Sequence, residues 1–583
     1  MATVRIAVAP GPGQSGLLCE LGADGSRRGD PVQTEDLCAA VRRHEASGDV
    51  RWIWAATAEL YPRLLAAGVR VARCHDLALA ERLLLGREGR PDDPVSLAAA
   101  WARLAGRPVP PDAAADGQLR SPQPRSPQQS LFEPAHVGAD ARATLDELIG
   151  VHAGQLARAA ADEHPARFGT LIAAESAGGL AAAEMRAAGI PWRADVHDEL
   201  LTGLLGPRPA PAPGLGQRWP GGPAPQPARL AELSGQIASA LGNGRPVNPD
   251  SPAQLMRALA ADGIMVTSTR LAALRGVSHP AIPPLLEYKE LSRLHAAFGW
   301  AWLDTWVAGG RFRPEYMVGG VVSGRWASRG GGALQIPRLL RRAVVADPGW
   351  ALVVADAAQL EPRVLAALAG DRAFADLAAA GDLYSALAGA FGGDRAKAKV
   401  ALLSAMYGGA GGTAGQLLAV LRQRFPAAAG YVEAAARTGE EGGVVRSVLG
   451  RTCPPPSADW RARTAVSGAE HEQSDPAAQR ASRARGRFTR NFVVQASAAD
   501  WALALLAGLR ARLAAIPAGG GQLPQLVFFQ HDEVIVHCPR ELAEPVAAAA
   551  AQAAEAAGRL VFGATPVRFP LTTAVVSCYA DAK

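Results

Sequence analysis

Cysteine is scarce in this chain. The 583 residues include six, at positions 19, 38, 74, 453, 538 and 578, no two in CxxC spacing and none beside a His cluster. That spacing argues against structural zinc, and the thiols read as reduced, packed groups of a cytosolic protein. A long apolar leader is also missing: Met1-Ala2-Thr3-Val4-Arg5-Ile6 has too short a hydrophobic stretch for a signal peptide. The Ala/Leu-rich segments are interrupted by Arg, Asp or Gly, so no membrane span is expected. What is present is 49% hydrophobic residues, enough for folded domains, in a chain too long for one core. The formal net charge of +6 suits a polyanionic partner without requiring one.

Residues 1–105 alternate strand-like runs (Val4–Val8, Val50–Ala55) with Ala/Leu helices, an α/β pattern. Residues 106–134 are rich in Pro, Ser, Asp and Gln and read as a flexible insertion. A helix is expected at Ala139–Ala161, and the Pro/Gly tract 206–227 reads as disordered or polyproline-like. Amphipathic helices follow at Ala228–Leu241, Ser251–Asp262 and Pro284–Gly299. Residues 316–356 read as strands and turns, 361–438 as helical and 439–486 as a charged, loop-rich stretch. A strong helix is expected at Arg487–Leu506, then a hairpin at Leu526–Cys538, an Ala-rich helix and a final strand.

Two aspartates end apolar, strand-like runs. Asp356 follows Leu352-Val353-Val354-Ala355 and precedes Gln359-Leu360-Glu361-Pro362-Arg363, where Pro362 suits a first helical turn. Asp532 lies in His531-Asp532-Glu533 at the tip of the expected hairpin. Alone, the first reads as an acid favoured by a helix dipole and the second as a turn former. Brought together, two carboxylates on rigid elements could hold divalent metals for phosphoryl transfer. Between them Arg395, Lys399, Leu403 and Tyr407 recur every four residues along one helix face, ending at Gly408-Gly409. Such a cationic row suits a triphosphate, although RxxxK is also common on solvated faces. Arg487, Asn491 and Gln495 share that spacing, followed by Asp500. They could meet phosphates and base edges, and Arg483, Arg485 and Arg490 beside them favour nucleic acid over a bland polar stripe. Arg325, with Arg338, Arg341 and Arg342, forms a second basic cluster.

In order and spacing these segments resemble the A-family DNA polymerases of the bacterial DNA polymerase I type. Ala355-Asp356 through Arg363 resembles motif A, Arg395 through Gly408 motif B, and Gln530-His531-Asp532-Glu533 motif C. Ser323-Gly324-Arg325 and Gln335-Ile336-Pro337 resemble the segment before motif A, and Tyr288-Lys289-Glu290-Leu291 the end of the thumb. The resemblance runs from about residue 165 to 583 and is nearest the short actinobacterial form, a bifunctional exonuclease/polymerase type lacking the 5′-nuclease domain. It implies an α/β plus α+β fold: an exonuclease-like (RNase H-like) domain over 1–165, then a right hand over 166–583. The thumb would span 166–318, the palm 319–365 plus 500–583 and the fingers 366–499.

The resemblance also implies roles. Asp356 and Asp532 would hold two Mg²⁺ ions, with Glu533 in the metal shell. Arg395 and Lys399 would bind the incoming dNTP, and Lys399 could protonate pyrophosphate. Gln359, Glu361, Tyr384, Leu403 and Tyr407 would complete the nucleotide site, with Glu361 blocking a ribose 2′-OH. Arg325, Arg487, Asn491, Gln495 and His531 would touch primer-template DNA. The protein would be a monomeric, cytoplasmic, nucleoid-associated enzyme of repair or gap filling. Four positions depart from the family: Ala357-Ala358 replaces Tyr-Ser, Leu403 replaces an aromatic that helps screen the sugar, and Tyr384 replaces His. In the N-terminal domain, Val4–Pro12 lacks the Asp-x-Glu that proofreading needs. Asp76 and Asp140 could be remnants of further acidic positions, which favours an inactive scaffold over residual 3′–5′ exonuclease activity. Other readings are a non-catalytic DNA-binding protein on a polymerase fold, an exonuclease that lost polymerisation, and an organellar- or phage-type RNA polymerase. The retained acids and cations, the missing Asp-x-Glu, and Glu361 with the 487–500 helix weigh against these in turn.

Overall fold

The computed structural model describes residues 3–112, 137–209, 226–241, 247–379, 381–389, 392–408, 419, 422–465, 476–517 and 522–582, the side chains of 137–140, 401 and 405 excepted. Most of the expected insertion 106–134 and of the tract 206–227 lies outside them. The chain forms two compact units, one of Met1–Ala188, Tyr316–Ala327 and Val353–Val575, the other of Gly189–Glu315, Ser328–Leu352 and Val576–Lys583.

The first unit opens with a five-stranded sheet of β1 (Val4–Pro10), β2 (Gly16–Leu21), β3 (Val32–Thr34), β4 (Val50–Trp54) and β5 (Arg73–Asp76), in the order β3-β2-β1-β4-β5. The first three strands pair antiparallel, and β1-β4-β5 run parallel. Strand alternation divides the apolar side chains into two layers. Ile6, Val8, Trp52, Trp54 and Cys74 join one core cluster, with residues of α1 (Leu37–Ser47). Ala7, Ala9 and Ile53 join another, with Leu145, Leu148 and Val151 of α2 (Val137–Ala160). The next helix, α3 (Pro165–Ala188), buries Phe168, Leu171, Leu180 and Met185 within this same unit. The expected thumb start at 166 therefore falls inside the first compact unit.

Four further strands make a four-stranded sheet: β6 (Trp350–Ala357), β7 (Gln525–Gln530), β8 (Glu533–Pro539) and β9 (Leu571–Val576), in the order β7-β8-β6-β9. Around it stand α4 (Leu360–Ala369), α5 (Leu383–Ala388), α6 (Arg395–Met406), α7 (Pro476–Ala514) and α8 (Ala543–Phe562). The expected helix at 487–506 is the middle of α7, which has 39 residues and runs through the expected fingers–palm boundary at 500. The stretch read as loop at 439–486 holds a short helix, Ala458–Ala465, and the first turns of α7. Sequence periodicity missed those turns because their Arg- and Ala-rich residues carry few large apolar side chains.

Helix α7 corrects the premise that every long apolar stretch is interrupted, not the expectation drawn from it. Among the described residues it is long and apolar enough to cross a membrane, but 83% of its apolar window is buried inside the protein, as in a core helix.

The second unit is mainly helical. Leu201, Leu233, Ile237, Leu255, Leu285 and Tyr288 share one core. The Tyr288 hydroxyl donates to Asp250 at 2.8 Å. The three amphipathic helices appear within two residues of their expected bounds, at Ala228–Ala240, Pro252–Ala261 and Ile282–Phe298.

Candidate active site

Because β6 and β8 are neighbours, the aspartates 176 residues apart in sequence come together: the Ala357 amide donates to the Asp532 carbonyl at 2.9 Å. Asp356 and Asp532 are both half-buried and line one cavity of about 500 Å³. Helix α6 lines the same cavity. Ala398, Leu402 and Met406 anchor that helix in the core, while Arg395, Lys399 and Leu403 line the cavity. The four-residue spacing therefore divides one face for packing from one for the site.

Tyr384 of α5 lines the cavity as well. The Arg395 guanidinium lies 5.5 Å and the Lys399 ammonium 6.0 Å from its ring centroid. Burial first, then the Glu361 charge, pushes the Tyr384 phenol up to about 12, so it stays neutral. Below, the Glu361 carboxylate takes Arg325 on one oxygen and the Tyr407 hydroxyl on the other. Burial and Glu361 together hold the Tyr407 proton well above the usual phenol range, and Gln495 also hydrogen-bonds this phenol. Glu361 is thus fixed at the cavity floor.

Gln359 and His531 are the two non-glycine residues with positive φ among those described, at 58° and 57°. Both line the cavity. Backbone strain of this kind persists where surrounding contacts over-determine it and gathers at functional sites. Gln359 shows the bracing: its amide nitrogen donates to Asp382 and its oxygen accepts from the Leu383 amide at 2.9 Å. Sequence reasoning passed over Asp382. It caps α5 through the Tyr384 and Ser385 amides and takes Arg395 Nε at 2.5 Å. Burial alone would raise its carboxyl, but the bonds from Arg395, Ser385 and Gln359 outweigh it and hold the group well below the usual range. Arg363 was also unassigned. It is buried and donates to the carbonyls of Ala358, Ala378, Gly381 and Arg568, clamping the turn after Asp356.

Other candidates lie elsewhere. Glu533 is buried at the start of β8 and is not among the residues lining the cavity. Arg487, Asn491 and Gln495 on α7 are also outside the cavity lining, although Gln495 reaches the Tyr407 phenol: Arg487 is exposed, and Asn491 has a buried side-chain oxygen with no hydrogen-bond partner. Asp500 is buried, takes the Leu449 amide at 3.2 Å and faces Arg451 at 3.5 Å, while Arg451 also grips Glu175 of α3 at 2.7 Å. Desolvation pushes the Asp500 carboxyl up to about 6, against the lowering effect of Arg451. A Cβ at Gly324 would lie 2.3 Å from Arg451 Nε, so this buried triad backs the loop that carries Arg325.

In the N-terminal sheet, Asp76 ends β5 as expected, but it is buried. Its oxygens accept from the Thr57 amide at 2.7 Å and the Leu79 amide at 2.9 Å. Asp140 lies on α2, and its side chain is outside those described.

A model of DNA polymerase family A matches residues 226–576. The chain belongs to that family. It is 27% identical over 342 residues to the thermostable DNA polymerase I of Thermus thermophilus, an alignment covering 53% of this chain and 37% of that protein. A shorter stretch, 129 residues, is 33% identical to DNA polymerase I of Chloroflexus aurantiacus, covering 21% of this chain and 14% of the relative. The match thus spans little more than a third of the first of these relatives. The polymerase domain of Pol1 from M. smegmatis, solved with DNA primer-template and dNTP, has the same fold. Its TM-score is 0.69 at 19% identity, covering 100% of this chain and 96% of that one.

Proposed function

We propose that this chain is a template-directed DNA polymerase that adds dNTPs to a primer 3′-OH in repair or gap filling. The observation that carries the reading is the one cavity lined by Asp356 and Asp532 together with Arg395 and Lys399. The donor set fits magnesium. Mg²⁺ is bound by one or two carboxylates completed by water and substrate phosphate, rather than by an all-protein cage. Two aspartates supply that much, and no group of three or more His, Cys, Asp or Glu that could hold a metal occurs among the described residues. Bound there, two Mg²⁺ ions would lower the pKa of the primer hydroxyl and neutralise charge on the leaving pyrophosphate.

The chain's own groups do the rest. Arg395 and Lys399 hold the triphosphate, and Lys399 can pass a proton to the departing pyrophosphate. Asp382 pairs with Arg395. A triphosphate carries more charge than one half-exposed carboxylate and displaces it at small cost, since exposed ion pairs contribute only about 0–1 kcal/mol. Glu361, held by Arg325 and Tyr407, presents a wall to the sugar edge and disfavours a 2′-OH. The missing aromatic at Leu403 leaves that edge less enclosed. Arg487, Asn491, Gln495 and His531 would grip the primer-template. The N-terminal sheet is then a relic exonuclease scaffold, a reading supported by its strand order, the acid-free β1 and the buried Asp76 that caps a helix. The monomeric state and the cytoplasmic, nucleoid-associated location belong to the same proposal.

The test is primer extension on a gapped DNA template with Mg²⁺ and dNTPs, beside a lane without dNTPs. Extension supports the reading. No extension with retained DNA binding favours a non-catalytic protein, and primer shortening without dNTPs contradicts the relic assignment.

A further inference from the structure

A second cavity in the first unit, about 680 Å³, is larger than the polymerase-type site and takes no part in the reaction above. It lies beside β4, β5, α3 and α7, within the usual size of small-ligand pockets, about 300–1,000 Å³. Its walls combine small apolar side chains, among them Ala174, Ala177, Ala507 and Ala511, with four arginines: Arg51, Arg70, Arg73 and Arg510. Two carboxylates line it, and both are engaged. Glu184 takes Arg510, Arg70 and the Tyr61 hydroxyl. Glu45 takes the Trp52 indole at 2.6 Å and the Ala72 amide at 3.1 Å. Arg73 pairs with Asp49, just outside. Arg510 spends its remaining donors on Tyr61 and the carbonyls of Val71 and Ala72.

Arg51 is different. Among the described residues no carboxylate forms an ion pair with it. It also stands in direct register with Arg5 on β1 and Arg73 on β5, a row of three guanidinium-bearing residues across adjacent strands. Like charges placed directly across a sheet are destabilising. Burial first, then the Arg73 charge, press its pKa downward, and the nearby Asp49 charge offsets them only in part. Structural demands alone do not select such a row. An anion in the cavity would relieve it.

We propose that this cavity is a binding site for a phosphate-bearing ligand of nucleotide size, with Arg51 as its principal cation and the alanine wall against the ligand's sugar or base. The fork of a guanidinium fits phosphate oxygens in pairs, so Arg at this position is specific for such a group. The phosphate could belong to a free nucleotide or to a short nucleic-acid strand, and the chemistry of recognition is the same.

The full-length protein, in EDTA so that metal-dependent chemistry is silent, is titrated calorimetrically with thymidine 5′-monophosphate, with thymidine and with a 5′-phosphorylated tetrathymidylate. Saturable binding of the monophosphate and not of thymidine is expected. Arg51→Gln should weaken it at least about tenfold, as loss of a charge-assisted pair requires, and Arg51→Lys should retain part of it. In an Arg395→Ala background, in which the other cavity is weakened, the Arg51-dependent binding should persist. If only the tetramer binds, with the same dependence on Arg51, the phosphate is that of a strand. The ligand-free Arg51→Gln protein should melt no lower than wild type, since a repulsive row has been relieved. Absence of binding by either phosphate, binding indifferent to Arg51→Gln, loss of the Arg51-dependent binding in Arg395→Ala, or a lowered melting temperature in ligand-free Arg51→Gln overturns the proposal.

Discussion

Two aspartates at strand ends, Asp356 on β6 and Asp76 on β5, look alike in sequence and have opposite fates. Asp356 is half-buried and lines a cavity together with two cations. Asp76 is sealed in the first unit, its oxygens spent on the Thr57 and Leu79 amides. A buried acid whose two oxygens each accept a backbone N–H stabilises a turn and is closed off from solvent; an acid at a cavity wall can do chemistry. Position on a strand does not distinguish them. What surrounds the carboxylate does, and that is assembled from distant segments.

The sharpest way to break this contrast is to neutralise each acid. Asp356→Asn should reduce primer extension by about 10³-fold or more while leaving the melting temperature nearly unchanged, the scale of a lost transition-state electrostatic contact. Asp76→Ala should do the reverse. It removes a cap and leaves two buried amides unpaired, costing about 2–4 kcal/mol of stability in chemical denaturation. Activity per folded molecule should stay at the wild-type level.

The buried triad gives the next effect. Arg451→Leu strands Glu175 and Asp500 without their cation, and such losses cost about 3–5 kcal/mol. Urea denaturation should show a lower midpoint, and loss of less than about 1 kcal/mol would mean the triad is not a strut.

A pH dependence separates the two regions further. His75 and His152 meet edge to face at 4.8 Å beneath the N-terminal sheet. Burial presses them down to about 4 and about 3, both from 6.5. Their folded-state values are depressed, so the unfolded chain takes up protons first as pH falls below 6.5. Their contribution is complete above 6.5 and is lost on acidification toward 3, at up to about 1.4 kcal/mol per pH unit for each group. Asp500, pushed up, works in the opposite sense, so the comparison must be with a variant. Between pH 6.5 and 4 the His152→Gln protein should show a stability slope about one proton shallower than wild type. An unchanged slope would mean that His152 is not neutral in the fold.

The smallest effect concerns the sugar edge. Leu403→Phe should shift the ratio of dNTP to dideoxynucleotide incorporation by roughly 3–10-fold, the value of one apolar contact. Equal ratios would remove Leu403 from sugar selection.

Much of the site was legible because its residues lie in short segments with helical or strand periodicity: the 395–403 row and the hairpin at 526–538 needed no tertiary knowledge. Arg451, Glu175 and Asp382 were not legible. Their roles depend on partners up to 276 residues away or on a cap visible only once the chain turns. The left-handed backbone at Gln359 and His531 has no sequence signal, since neither is glycine. The length of α7 was underestimated because helical propensity without large apolar residues leaves no periodic mark.

The most direct test of the account is single-turnover primer extension by Asp532→Ala beside wild type, with DNA affinity and melting temperature recorded for both. The account predicts that extension by the variant disappears while DNA binding and the melting temperature hold. Extension at a wild-type rate would contradict it, because the carboxylate pair would then not be where the chemistry occurs.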